Sequence, residues 1–222
     1  LAQYGELPAV KGGGQWRYHL SSVDQYLQKQ FVESSDDDLD LIIRTKEHPI
    51  PLSRLMGERF MDLDMKASNK RKVLSQLARL AHGARFTPSY EGLYIALENR
   101  EKLLSTAVGQ GVAIPHARIP SQLLFKEPRI IFARVNTGVD FDAPDKQKVQ
   151  LFFMPCSPTE YVHVRLLAKI SKLLHVPNVI EQLKNITQTK DVMQILMAFD
   201  QSSLLTNTDV NIQKVIDHQI GN

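Results

Sequence analysis

Apolar residues recur along this chain in two rhythms, every third or fourth position and every second, and the two alternate from about residue 50 onward. Val73, Leu74, Leu77, Leu80 and Ala81 fall on one helical face, with Ser68 placed to cap its start and Gly83 to stop it. Pro88 and Ser89 open a second helix whose Leu93, Ala96 and Leu97 face the core, with Arg100 near its end. Residues 129–135 and 149–154 are dense in branched and aromatic side chains and read as strands. Turn residues follow at Asn136-Thr137-Gly138 and at Pro144-Asp145. Ser157-Pro158-Thr159-Glu160 then reads as a helix start, with a capping serine, a first-turn proline and a capping-box glutamate. On that helix His163 shares a stripe with Leu167, Ile170 and Leu174, which turns its ring toward the interior or a cleft. The alternation predicts one α/β unit over residues 50–199 and a polar tail over 200–222.

The first thirty residues have a different texture. Residues 7–11, the Gly12-Gly13-Gly14 turn and Gln15-Trp16-Arg17-Tyr18 predict a hairpin. A helix follows it, capped by Ser21 with Asp24 three residues on, and with Val23, Tyr26 and Leu27 as its apolar face. Glu33-Ser34-Ser35-Asp36-Asp37-Asp38 reads as a linker, so the expected division is a fragment at 1–30, a linker at 31–49 and the α/β unit beyond. A piece of about thirty residues is shorter than the ~40 that usually fold unaided. The chain begins at Leu1 inside an ongoing pattern, and a preceding segment is expected.

Composition narrows the classes. The 222 residues suffice for one substantial core and a smaller second unit. Charged residues make up 23% with a balance of +3, which is too mild to announce a nucleic-acid partner. Cys156 is the only cysteine, so no intrachain disulfide can form, and a reducing cytoplasm is the expected setting. No apolar run approaches the ~18 residues of a membrane span, so no membrane insertion is expected. His19, His48, His82, His175 and His218 share no ligand spacing, and Gly109-Gln110-Gly111 lacks the lysine of a nucleotide-binding loop. Neither a metal nor another cofactor is expected.

The stretch from Ser105 to His116 carries the most chemistry. Ser105 and Thr106 precede two glycines, Gly109 and Gly111; an apolar run at 112–114 reads as a short buried strand, and Pro115 stiffens the exit to His116. A histidine beside an apolar run is ordinarily a hydrogen-bonded core residue, and the same holds for His163. The wording favours more. Arg100-Glu101, then Ser105-Thr106, Gly109 and Gly111, and Val112-Ala113-Ile114-Pro115-His116 resemble the phosphorylation-site signature of the mannitol/fructose type of phosphotransferase-system enzyme IIA, which includes the nitrogen-regulatory enzyme IIA proteins. Ala107 and Ala117 depart from glycines frequent in that pattern. The run from His163 to Ser171 resembles the family's second histidine motif.

That resemblance, over residues 50–199, implies an α/β fold with a mixed β-sheet flanked by helices, the enzyme IIA type-2 fold. It implies a phosphoryl carrier that accepts phosphate from the histidine phosphocarrier protein on His116. An enzyme IIB cysteine or a regulated target protein would lie downstream. His163 and Arg100 are the expected phosphate stabilisers, and the Ser105 and Thr106 hydroxyls the expected phosphate-binding groups. Loose phosphoryl transfer needs an in-line nucleophile and compensation of charge on the equatorial oxygens, which these residue types supply. Arg118 is a weaker candidate for phosphate or for an acidic partner surface. No permease or enzyme IIB segment is present in the sequence, which leans toward regulation over sugar transport.

Residues 1–30 resemble the second half of an excisionase-type, MerR-like DNA-binding domain, whose hairpin is a wing beside DNA. Lys11, Arg17 and His19 fit either a charged, solvated edge or phosphate contact. DNA binding would require helices upstream of Leu1. The alternative function is therefore a transcriptional regulator with an enzyme IIA-like phosphorylation sensor.

Overall fold

A computed structural model describes residues 9–12, 15–18 and 51–202. The chain divides into two units, 1–50 and 51–222. In the first, β1 (Ala9–Gly12) pairs antiparallel with β2 (Gln15–Tyr18), Ala9 opposite Tyr18 and Gly12 opposite Gln15, which is the hairpin the glycine run predicts. The helix expected after Ser21, the acidic linker and the tail from 203 onward lie outside the described residues.

In the second unit the elements run α1 (Leu52–Leu55), a 3-10 turn (Glu58–Phe60), β3 (Met61–Asp62), α2 (Lys70–Gly83), α3 (Tyr90–Leu103), β4 (Ala107–Gly109), β5 (Val112–Ala113), β6 (Arg129–Val139), β7 (Val149–Cys156), α4 (Glu160–Leu174) and α5 (Val179–Asn185). A further helix, α6, begins at 189 and continues to the last described residue, 202. The five strands form one mixed sheet in the order β3-β6-β7-β5-β4. β6 and β7 pair antiparallel at its centre, and β3 and β5 flank them in parallel. This is the expected mixed sheet flanked by helices.

Both faces of the sheet are buried, which explains why its central strands read as nearly unbroken apolar runs. Successive side chains alternate faces. Ile131, Ala133, Phe152 and Met154 pack beneath α2 and α3 with Val73, Leu74, Leu77, Leu93 and Leu97. Ile130, Phe132, Leu151 and Phe153 pack on the other side with Leu166, Ile170 and Leu173 of α4 and with Leu183, Val192 and Leu196. The Phe132 and Phe153 rings meet at 4.8 Å across the central pair.

Three local expectations change. The cap of α2 is Asn69, not Ser68: its side chain accepts the Lys72 N–H at 2.9 Å. Both residue types cap well, and the backbone enters the helix one residue later than the sequence suggests. Asn136-Thr137-Gly138 does not end a strand, because β6 runs through it with an irregularity between Arg134 and Val139. Gly138 takes a φ of 64°, and a Cβ placed there would lie 2.8 Å from the Cβ of Lys148. Gly138→Ala is therefore expected to destabilise the unit by roughly 1–2 kcal/mol, read as a lower urea midpoint. Finally, α4 is capped by Thr159, which accepts the Val162 N–H, so Ser157 is released from the capping role the sequence suggested.

Candidate functional site

His116 reaches the site from a tight hairpin. β4 and β5 are joined through Gly109, Gln110 and Gly111, all at positive φ, and the Asp145 carboxylate accepts the Gln110 N–H at 2.7 Å. Two of these positions are glycine, the residue that takes such a backbone without penalty. β5 pairs with central strand β7, and Ile114 and Pro115 are buried behind it. The ring that follows is thus anchored to the middle of the sheet.

The His116 ring is held at both nitrogens. Its Nδ1 lies 2.7 Å from the Ile114 carbonyl oxygen. A carbonyl only accepts, so Nδ1 carries the proton and Nε2 keeps its lone pair. Arg100, in the last turn of α3, donates from Nε to that Nε2 at 3.2 Å and from a terminal nitrogen to the Leu104 carbonyl at 2.8 Å. Arg100 therefore both closes the helix end and faces the histidine. Burial, followed by the Arg100 cation, holds the His116 pKa below its ordinary 6.5, against opposing effects of the Ile114 carbonyl and Glu101. Burial and the cation thus both favour the neutral ring, the form whose unprotonated nitrogen can act as a nucleophile.

His163 stands in the first turn of α4, its ring centroid 4.9 Å from that of His116. The buried stripe of α4 is Val162, Leu166, Ile170 and Leu173, so His163 lies at its margin and Leu167 and Leu174 are only half-buried. Sequence spacing placed the ring on the right side of the helix, one position from the centre of the buried face. Its Nδ1 is 3.2 Å from Ser157 Oγ. Ser157, 1% exposed at the end of β7, is a site residue the sequence misassigned as a helix cap. Only the pairing of its buried hydroxyl with a ring six residues later reveals its role.

Burial, then His116 and Arg100, lowers the His163 pKa from 6.5 to about 4. The unfolded chain binds this proton near 6.5, so between 6.5 and 4 the unfolded state holds more protons than the folded one. Stability is full above that window and falls as pH drops through it. A ring NMR titration is expected to place the His163 midpoint near 4, with a lower urea midpoint at pH 4.5 than at pH 7. A His163 midpoint at or above the ordinary value would contradict this environment.

The two predicted hydroxyls are engaged elsewhere. Ser105 Oγ donates to the Phe141 carbonyl and accepts the Ala107 N–H. Thr106, 6% exposed, donates its hydroxyl proton to Glu101 at 2.6 Å. The structure thus brings Arg100, His116 and His163 together and adds Ser157, while the Ser105 and Thr106 protons point into the protein's own framework. Arg118 is exposed. Cys156 is fully buried, which pushes its thiol pKa well up, and an uncharged thiol is a poor nucleophile. Among the described residues, no three His, Cys, Asp or Glu side chains form a metal-holding group, and no helix is long and apolar enough to cross a membrane.

Solved structures similar to this one in fold include enzyme IIA domains. Nitrogen regulatory protein IIA-Ntr from Neisseria meningitidis superposes with a TM-score of 0.59 at 28% identity, over 65% of this chain and 98% of that one. Enzyme IIA mannitol from Escherichia coli, solved in complex with phosphorylated enzyme IIB mannitol, superposes at 0.58 over 65% of this chain and 99% of that one; at 20% identity it speaks for the fold alone. The chain belongs to the family described as phosphoenolpyruvate-dependent sugar phosphotransferase system, EIIA 2, whose model matches residues 54–198. A nitrogen regulatory protein of Bradyrhizobium diazoefficiens is 31% identical over 66% of this chain and 95% of its own length. The fructose-specific EIIABC component of Bacillus subtilis is 26% identical over 67% of this chain, which spans only 23% of that protein. The excisionase-type resemblance of residues 1–30 gains no support here, since the family match begins at residue 54.

Proposed function

We propose that this enzyme IIA domain is a phosphoryl carrier that accepts phosphate on His116 Nε2 from the phosphohistidine of the histidine phosphocarrier protein, in a regulatory role of the nitrogen type. The observation that carries the reading is the two-sided hold on His116: the Ile114 carbonyl accepts a hydrogen bond from Nδ1–H, and Arg100 addresses Nε2, where phosphate would join. In the transfer the donor's P–N bond breaks and a P–Nε2 bond forms. The donor nitrogen recovers its electron pair, and each ring keeps the proton on its other nitrogen. Arg100 compensates charge on the equatorial oxygens. A Ser157 hydroxyl donated to His163 Nδ1 leaves Nε2–H of that ring as a further donor to the phosphoryl group.

Exposed Leu103 and Leu104 follow Arg100, and exposed Ile119 and Leu123 follow His116. Apolar side chains in these positions suit a surface that meets another protein. The regulatory assignment rests on the nitrogen regulatory relative, which this chain matches over nearly its full length. An enzyme IIB cysteine or a regulated target protein is the proposed receiver of the phosphate or of its signal. The test is incubation with phosphoenolpyruvate, enzyme I and the phosphocarrier protein. Wild type is expected to take up acid-labile phosphate; no uptake refutes the reading.

A further inference from the structure

We propose that Glu101, held by Lys70, is a positioning residue that sets the tautomer and place of His116 through Thr106 and Ile114. The inference rests on His116 being the phosphoryl acceptor and assigns a role to residues that do not touch the phosphate.

Glu101 sits in the last turn of α3, where the helix dipole disfavours a negative charge, and it is only 5% exposed. A carboxylate in such a place needs compensation. Three donor contacts come from one residue: the Thr106 N–H lies 3.2 Å from each carboxylate oxygen, and the Thr106 hydroxyl 2.6 Å from one. Lys70, the first residue of α2, approaches the other oxygen at 3.4 Å. The same ammonium pairs with Asp142 at 2.6 Å and lies 5.0 Å from the centre of the Phe141 ring. The Glu101 carboxylate thus ties α3 to α2 and to the Thr106 backbone, and Lys70 ties the loop after β6 to the same cluster.

From Thr106 the connection continues to the nucleophile. The Thr106 carbonyl accepts the Ile114 N–H at 3.0 Å, and the Ile114 carbonyl accepts the His116 Nδ1 proton at 2.7 Å. Glu101 therefore fixes the strand edge that in turn fixes the carbonyl that selects the tautomer. Arg100, the preceding residue, addresses the opposite ring nitrogen. Adjacent positions at one helix end hold the two sides of the same imidazole.

The experiment combines ring-nitrogen NMR of His116 in the unphosphorylated protein with single-turnover phosphate uptake from the phosphorylated phosphocarrier protein. Glu101→Gln and Thr106→Val are expected to slow the transfer step by about 10- to 100-fold with little change in half-saturation, because misplacing a reacting group by about 1 Å costs that much. Both are expected to shift His116 away from the pure Nδ1–H form, and Thr106→Ser, which keeps the hydroxyl, is expected to restore both readouts. If Glu101→Gln does not fold, the threonine pair decides alone. Wild-type transfer and an unchanged His116 spectrum in Thr106→Val overturn the proposal, as does a loss fully accounted for by the unfolded fraction. If wild type takes up no phosphate, the carrier reading fails while the NMR arm still tests the positioning.

Discussion

His116→Ala is expected to take up no acid-labile phosphate from the phosphorylated phosphocarrier protein, while folding as wild type does. The ring is half-buried and follows the strand that anchors it, so its loss removes little of either apolar cluster. His163 is a poor substitute although its ring is only 4.9 Å away. Its Nδ1 is occupied by Ser157, and the Arg100 guanidinium is committed to the His116 side. His163→Ala should accordingly slow uptake without abolishing it. Mass spectrometry of intact protein under alkaline conditions checks both variants, and phosphate retained in His116→Ala would place the acceptor on another residue.

The second large effect concerns Arg100. Arg100→Ala should lower the rate of uptake by about 10²–10³, the typical loss when one fixed donor to developing charge is removed. Arg100→Lys is expected to recover little of it. The guanidinium reaches His116 Nε2 and the Leu104 carbonyl at once from two nitrogens of one rigid plane. A lysine ammonium is a point donor on a flexible stem and cannot hold both acceptors in that geometry. Wild-type rates in Arg100→Lys would reduce Arg100 to a helix-end cation with no part in transfer.

Much of this was legible from local patterns. The apolar alternation located α2, α3 and the central strand pair, and the resemblance carried by residues 105–116 singled out the candidate acceptor. Local signals failed where two neighbours could serve the same purpose. Ser68 and Asn69 are both good caps, and Ser157 and Thr159 both precede a helix; which one turns its side chain back depends on where the incoming strand or loop delivers the backbone. Asn136-Thr137-Gly138 has turn chemistry, yet continued pairing with β7 keeps it within a strand and converts the glycine into an irregularity.

The site divides in the same way. The resemblance to the enzyme IIA signature, and not residue identity alone, selected Arg100, His116 and His163, since either histidine by itself reads equally well as a hydrogen-bonded core residue. Identity could not show that the Thr106 hydroxyl serves Glu101 or that Ser157 serves His163, because hydroxyls bond in many ways and only burial leaves them a single partner. By itself the amino-acid order determined the α/β alternation, the family and the candidate nucleophile. Packing of α3, the β5 exit, the end of β7 and the start of α4 around one point decided which nitrogen of His116 keeps its lone pair, because that choice depends on a carbonyl and a guanidinium brought together from different elements.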